Sequence, residues 1–347
     1  MKSFGKLPSG ERLERILNSP NYKNGSFQNL SETPSLAIDK SFWDVLIYYF
    51  SNKINPNPPS PIRTQYVDFN IITNSNIPEI TWFGHSSYLI QFRGFNIIID
   101  PVFSGRASFS NIIGPKAYNY IPPFDINQLP KIDMIILTHD HYDHLDYESI
   151  SFLKKFNPIF YGPLGIGSHL EYWGIPDSNI NELDWWDTIN TILPDIQLTA
   201  TPARHFSGRS FVRNKTLWTS YVMKIGDNNI FIGGDSGYDV HFKEIGNKYG
   251  PFDITILECG QYDKHWPYIH MMPEETVQAA IDLKSNVLFP VHWGKFSLSV
   301  HSWDDPIKRV TKTSDKLQVQ YTTPRIGEKI VLNSIYPKTE WWNEQSN

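Results

Sequence analysis

The sequence predicts an α/β domain built of packed layers, and three observations carry that expectation. Short β-rich runs recur from about Tyr66 onward. Helical patterns fall between some of them, and strands mixed with helices argue for sheets covered by helices. The chain has 347 residues, 40% of them apolar and 19% charged, which is long enough for a substantial core and too apolar for disorder.

Residues 1–66 read as an N-terminal extension packed on a main domain, 67–347. The extension carries a short helical pattern over Glu11 to Leu17. It also carries the run FWDVLIYYF, Phe42 to Phe50. That run suits a buried packing helix or one facing a membrane or partner, and is too short to span a bilayer. Asn55 to Pro61 (NPNPPSP) should be an extended connector, because each proline lacks an amide donor and restricts its predecessor. Glu79 to Phe83, Tyr88 to Phe92 and Phe95 to Asp100 then form three β-rich runs, broken at Gly84-His85 and Arg93-Gly94 as in a meander with tight turns. Asp133 to Leu137, Ile159 to Tyr161, Gln197 to Ala200, Thr219 to Ile225, Asn229 to Ile232, Ile254 to Leu257 and Val287 to Phe289 continue the series. Tyr147 to Phe156 and Pro273 to Leu283 read as helices. The second opens on a proline followed by Glu274 and Glu275, which suit the positive end of the helix dipole.

Composition excludes several classes. Lys and Arg number 31 against 36 Asp and Glu, a net charge of −5, so a nucleic-acid partner is not expected. The one cysteine, Cys259, excludes an internal disulfide and a thiolate-rich zinc site. No stretch is apolar enough to cross a membrane. Met1 to Leu17 lacks the apolar core of a signal peptide, and the expectation is a cytoplasmic protein, with a peripheral membrane contact kept open by the aromatic content of 14%.

The chemistry concentrates in Thr138 to Asp146, THDHYDHLD. His139, His141, Asp143 and His144 follow the apolar run Asp133 to Leu137, and a strand end delivers side chains to a sheet edge. Imidazole and carboxylate donors suit zinc, iron or manganese. His139 and His141, two apart, point the same way in extended chain. Three further donors stand at predicted strand ends: His205 after QLTATPAR, Asp235 after FIGG and His292 after VLFPV. Gly233 and Gly234 would let backbones approach closely there.

THDHYDHLD matches the H-x-H-x-D-H signature of the metallo-β-lactamase fold superfamily. Over about 65–335 the chain resembles the N-acyl-phosphatidylethanolamine-hydrolysing phospholipase D branch and its bacterial relatives. The matching passages are TWFGHSSYLI (81–90), IDPVFSGRAS (99–108), TPARHFSGR (201–209), GGDSGY (233–238), GPFDI (250–254), HMMPEE (270–275) and HWGKF (292–296). FGKLPSGERLERI, near the N-terminus, also looks like bacterial members. The resemblance implies a four-layer αβ/βα sandwich with a dinuclear metal site at the sheet edge. It implies His139, His141 and His205 on one ion, Asp143, His144 and His292 on the other, and Asp235 bridging both. The ions would be two divalent metals, zinc first, with manganese or iron as alternatives. A hydroxide between them would be the nucleophile, with Asp143 accepting or shuttling its proton. His270 would be a general acid or phosphate contact. Asp100 would steer the histidine cluster, and His85 and Tyr238 would lie in the pocket or behind the ligands.

The leading functional expectation is a metal-dependent phosphodiesterase acting on a small-molecule or lipid phosphodiester. A lactonase or other carbonyl-ester hydrolase of the ascorbate-6-phosphate lactonase type is the enzymatic alternative. A non-catalytic metal-binding protein is the alternative from another class. Oligomeric state is not legible in the sequence.

Overall fold

In the computed structural model, which describes residues 1–34, 36–37, 44, 51, 54–69, 75–210 and 212–345, two sheets face each other. The run Phe42 to Phe50 lies outside the described residues apart from Asp44. A small hairpin, β1 (Tyr22–Lys23) and β2 (Ser26–Phe27), and helix α1 (Glu11–Leu17) precede the sheets.

The first large sheet has seven strands. These are β3 (Glu79–Trp82), β4 (Tyr88–Phe92), β5 (Phe95–Ile99), β6 (Met134–Ile136), β7 (Ile159–Pro163), β8 (Ile180–Leu183) and, from the far end of the chain, β15 (Lys329–Val331). Their order is β15-β3-β4-β5-β6-β7-β8. β15, β3, β4 and β5 pair antiparallel, and β5 through β8 pair parallel. The second sheet has six strands: β9 (Thr188–Asn190), β10 (Ile196–Thr201), β11 (Ser220–Ile225), β12 (Asn228–Ile232), β13 (Ile254–Glu258) and β14 (Leu288–Val291), in the order β14-β13-β12-β11-β10-β9. Here β9 to β12 are antiparallel and β12 to β14 parallel.

Alternation explains how one strand serves two layers. On β4, β5 and β6 the side chains of Ile90, Ile97, Ile99, Met134 and Ile136 enter the core between the sheets. Leu89, Ile98 and Ile135 point the other way, onto Ile150 and Leu153 of α2 (Tyr147–Leu153) and Leu170 of α3 (Gly167–Tyr172). Strands buried on both faces read as unbroken apolar runs, which is why these were legible. On the second sheet α4 (His241–Tyr249), α5 (Pro273–Asp282) and α6 (Asp305–Leu317) contribute Phe242, Val277 and Ile307 to the same core.

Sequence patterns place most elements within a residue or two. The helix read over Tyr147 to Phe156 splits into α2 and a 3-10 turn, Lys154–Phe156. It starts where Asp146 accepts hydrogen bonds from Ser149 N (3.1 Å) and Ser149 Oγ (2.5 Å). Strands β8, β9 and β15 and helices α3, α4 and α6 carry no clear signal in the sequence reading.

Direction is what positions the site. β3, β5 and β6 run one way in the first sheet; β10, β12, β13 and β14 share a direction in the second. The residues following their C-terminal ends meet at one edge of the sandwich, as ligand sites do in open α/β sheets.

Candidate metal centre

Seven strand ends supply the donors. His85 follows β3, Asp100 ends the run of β5, and His139, His141, Asp143 and His144 follow β6. His205 follows β10, Asp235 follows β12, Glu258 closes β13 and His292 follows β14. His85 N donates to Trp293 O (2.9 Å) and His292 N donates to His85 O (3.0 Å), so the two sheets are stapled at the site itself. His85 (φ 54°), Asp100 (φ 40°) and His292 (φ 67°) all adopt the left-handed region that side chains disfavour. Such strain persists where surrounding contacts over-determine it, and it concentrates at functional sites. Gly234 (φ 61°) meets the close-approach expectation: an added Cβ would lie 2.9 Å from Thr138 Cβ.

Two sets of donors flank Asp235, and among the described residues a third grouping joins Asp235 and His292 to Glu258 and His270. In the first, His141 Nδ1 lies 3.0 Å from His139 Nε2 and 3.1 Å from His205 Nε2, and Asp235 Oδ2 lies 3.8 Å from both of the latter nitrogens. In the second, His144 Nε2 lies 3.1 Å from Asp235 Oδ1 and 3.5 Å from Asp143 Oδ2. His292 Nδ1 lies 3.2 Å from Asp235 Oδ1, and His85 Nε2 lies 2.9 Å from Asp143 Oδ2. Asp235 thus faces both sets, one carboxylate oxygen toward each.

Partners on the far side of each ring set the tautomers. His205 Nδ1–H donates to Ile269 O (2.8 Å). His144 Nδ1–H donates to Asp100 Oδ2 (2.8 Å). Thr138 Oγ1 donates to Asp100 Oδ2 (2.6 Å) and so accepts from His139 Nδ1–H (3.0 Å). His139 and His205 therefore aim a bare Nε2 lone pair into the site, and His144 aims an Nε2 that does so once its second proton is displaced, the arrangement in which outer partners orient metal-ligating histidines. The nitrogens of His139, His141 and His205 stand 3.0–3.1 Å apart, close to the roughly 3.3 Å that separates nitrogens around a tetrahedral zinc at 2.0–2.1 Å. His144 Nε2, Asp235 Oδ1 and His292 Nε2 are buried with no hydrogen-bond partner. On these grounds the residues fit a pair of divalent ions.

Protonation follows from burial. It holds His139, His205 and His292 well below the ordinary imidazole range and His141 at about 4, so all four are neutral at pH 7. For His144 burial acts downward too, but the charges of Asp235 and Asp143 and the bond to Asp100 outweigh it and raise the ring well above its usual value. Burial pushes Asp235 up to about 6 against the pull of His144. The metal-free site therefore keeps a proton on His144 at pH 7, and Asp235 gains one below about pH 6. Protons and metal compete, so affinity should fall as pH falls, and zinc uptake at pH 7 should release about one proton. Calorimetric titration in two buffers of different ionisation enthalpy reads that proton. A binding enthalpy independent of buffer would contradict the assignment.

The remaining predicted positions take varied places. Asp100 accepts from Thr138 N (2.8 Å) as well as from Thr138 Oγ1 and His144, so one carboxylate braces the start and the end of the histidine loop. His85 sits against Asp143. His270 is tied through Nδ1 to Glu258 Oε2 (2.6 Å), and its ring centroid lies 5.1 Å from that of His205 and 5.3 Å from that of His292. Tyr238 directs its hydroxyl to Asp282 Oδ2 of α5 (2.6 Å), which engages its polar end on the helix. Outside those positions, Gln261 braces the loop after His292, donating from Nε2 to Phe296 O (3.1 Å) and accepting from Leu298 N (2.7 Å).

Glu258 was not singled out from the sequence. Wholly buried, it accepts from Ser236 N (2.8 Å) and Met271 N (3.3 Å) on Oε1, and burial pushes its carboxyl well above the usual range, so the proton it keeps on Oε2 faces His270 Nδ1 (2.6 Å). The available signal was a carboxylate closing the apolar strand ITIL, the same setting as Asp100 after FNIII.

Residues 95–293 match the family model described as beta-lactamase superfamily domain. The chain is 31% identical over 265 residues to N-acyl-phosphatidylethanolamine-hydrolyzing phospholipase D 1 of Caenorhabditis elegans, covering 72% of this chain and 74% of that one. It is 35% identical over 240 residues to the mitochondrial N-acyl-phosphatidylethanolamine-hydrolyzing phospholipase D of Saccharomyces cerevisiae, covering 66% of this chain and 50% of that one. Among solved structures, Igni18, a metallo hydrolase from Ignicoccus hospitalis, superposes with a TM-score of 0.59 at 19% identity, over 74% of this chain and 99% of that one. That last likeness concerns the fold.

Proposed function

The chain belongs to the beta-lactamase superfamily domain family, as a metal-dependent hydrolase, and from that premise we propose that it is a two-metal phosphodiesterase acting on a lipid-like phosphodiester. The observation that carries the reading is the sharing of Asp235 between two sets of inward-aimed donors. His139, His141 and His205 would hold one divalent ion and Asp143, His144 and His292 the other, with zinc preferred and manganese or iron as alternatives for an all-N/O donor set. When bound, such ions activate water near neutral pH and neutralise charge on a phosphoryl oxygen.

The chain's own groups account for the rest. Asp143, whose carboxyl is held well below its usual range by His144 and His85 although burial opposes them, is an ionised acceptor for the proton of the attacking water. His270 is held neutral by burial, and with Nδ1 accepting from the Glu258 carboxyl it carries its proton on Nε2, which it can hand to the departing alkoxide as Nδ1 takes the proton of Glu258. Water adds to phosphorus as the bond to the head-group oxygen breaks, and that oxygen leaves as an alcohol.

An apolar tip stands near the metal loop. Phe109 lies 6.3 Å, centroid to centroid, from Tyr142, the residue between His141 and Asp143. In the same loop Ile112 and Ile113 are 81% and 65% exposed. Two adjacent isoleucines in water suit contact with acyl chains, worth about 0.8 kcal/mol per buried CH₂. The loaded enzyme should therefore prefer a diester carrying two long chains, in mixed micelles, over bis(p-nitrophenyl) phosphate. Replacing Ile112 and Ile113 by Ser should raise KM for the lipid and spare the small diester. Faster turnover of a lactone than of any phosphodiester would transfer the assignment to carbonyl hydrolysis.

A further inference from the structure

We infer that residues 1–9 form a strap that sets the geometry of the metal loop, with Asp140, His169 and Arg209 as the positioning residues between them. The inference rests on the metal-centre reading and adds a means of control to it. Asp140 stands between His139 and His141 and contributes no donor to either set. Its carboxylate instead accepts from Gly208 N (2.7 Å), Thr216 Oγ1 (2.9 Å) and His169 Nε2 (3.3 Å). Arg209 closes the loop from the other side. A single nitrogen, NH1, donates to Asp140 O (2.7 Å) and Leu145 O (2.6 Å), so one guanidinium pins both ends of the segment that bears His141, Asp143 and His144. Tyr142 OH donates back to Arg209 O (2.6 Å).

The strap completes both contacts. Arg209 Nε and NH2 donate to Ser3 O (3.0 and 2.8 Å). Lys6 N donates to His169 Nδ1 (3.0 Å). With Nδ1 accepting, the ring carries its proton on Nε2, the nitrogen that faces Asp140. The strap amide thus selects the tautomer that holds the metal loop, one step further out than the partners of His139, His144 and His205. Trp173 Nε1 donates to Lys2 O (2.8 Å) and anchors the strap's start. Gly5 (φ 71°) permits the approach, since a Cβ there would lie 2.0 Å from His169 Nδ1.

Burial separates this role from ordinary packing. None of residues 1–9 is buried, whereas Asp140, His169 and Arg209 are 3–5% exposed. The strap also leans on Phe109, through the stacked ring of Phe4 (5.0 Å) and Ser3 Oγ donating to Phe109 O (2.7 Å), but its contacts to Arg209 and His169 converge on the loop. Three sequence passages that the reaction leaves without a task, the FGK of the N-terminus, Asp140 of THDHYDHLD and Arg209 of TPARHFSGR, meet in this one network.

Two variants test it in the full-length background: deletion of residues 1–9, and Gly5→Val, which displaces the strap without touching the loop. Zinc affinity is measured by competition with a chromophoric chelator, alongside amide exchange of residues 139–146 in the zinc-loaded protein and the melting temperature of the metal-free protein. Both variants are expected to bind zinc about 10–100-fold more weakly, to exchange faster at 139–146, and to keep the metal-free melting temperature of the parent. Unchanged affinity, or a loss that follows a lowered metal-free melting temperature, would show the strap to be inert or merely structural. A parent protein that takes up no zinc would overturn the centre itself, a result separable from either of these.

Discussion

His141→Ala is expected to lower kcat/KM by about 10³-fold or more, the scale of losing several kcal/mol of metal-assisted stabilisation, while the fold persists. His141 Nδ1 is the nitrogen that His139 Nε2 and His205 Nε2 both approach, so its removal opens the first set. The second set keeps Asp143, His144 and His292, and should retain one ion. The ring is only partly buried, at the rim and outside the core between the sheets, so the strands lose no packing. Metal analysis should find about one ion per chain in place of two. Circular dichroism at 25 °C should be unchanged. A variant with both ions, or with a tenth of parental turnover, would refute the first set as drawn. Unfolding at that temperature would mean that the site is mainly a structural clamp.

Most of the candidate donors stand out in the sequence because they follow an apolar run. β6 reads MII before Leu137 and the histidine loop, and β12 reads NNIFI before Gly233; such runs announce a buried strand, and polar residues at their ends announce an edge. β8 (INEL) and β9 (TIN) are short and carry polar residues, so nothing marks them as strands. α6 is amphipathic, but its KRVTKTSDK face resembles a solvated loop. Positive φ at His85, Asp100 and His292 leaves no trace in residue type, since it is imposed by contacts between the sheets. The same holds for Arg209 and Asp140: their chemistry is visible in the sequence, but their partners lie 29 to 206 residues away in the chain. Tyr238 shows the converse, a residue of a matching passage whose hydroxyl the fold commits to Asp282.

Glu258→Gln is expected to lower kcat by about 10²–10⁴-fold while leaving KM and metal content close to those of the parent. The reason is directional. Glu258 Oε1 accepts from Ser236 N and Met271 N, and Oε2 meets His270 Nδ1 at 2.6 Å. In the variant the two backbone donors fix the amide oxygen on their own side. The NH₂ group is then forced toward His270 Nδ1, where it donates as the protonated carboxyl does but has no proton to give up. The ring loses the partner that refills Nδ1 as Nε2 gives up its proton, so transfer to the leaving alkoxide is no longer assisted. The amide is close in size to the carboxylate, and it keeps the contacts to residues 236 and 271, so the core should tolerate it. His270→Ala should cost about as much, and the double variant little more than either alone, because two groups acting as one unit are not additive. Burial also holds His270 below the ordinary imidazole value in the metal-free protein, so any limb of the pH–kcat profile that belongs to it should disappear in both variants. A kcat within threefold of the parent, or a double variant showing the product of the two single losses, would mean that Glu258 serves the fold and that another group protonates the leaving oxygen.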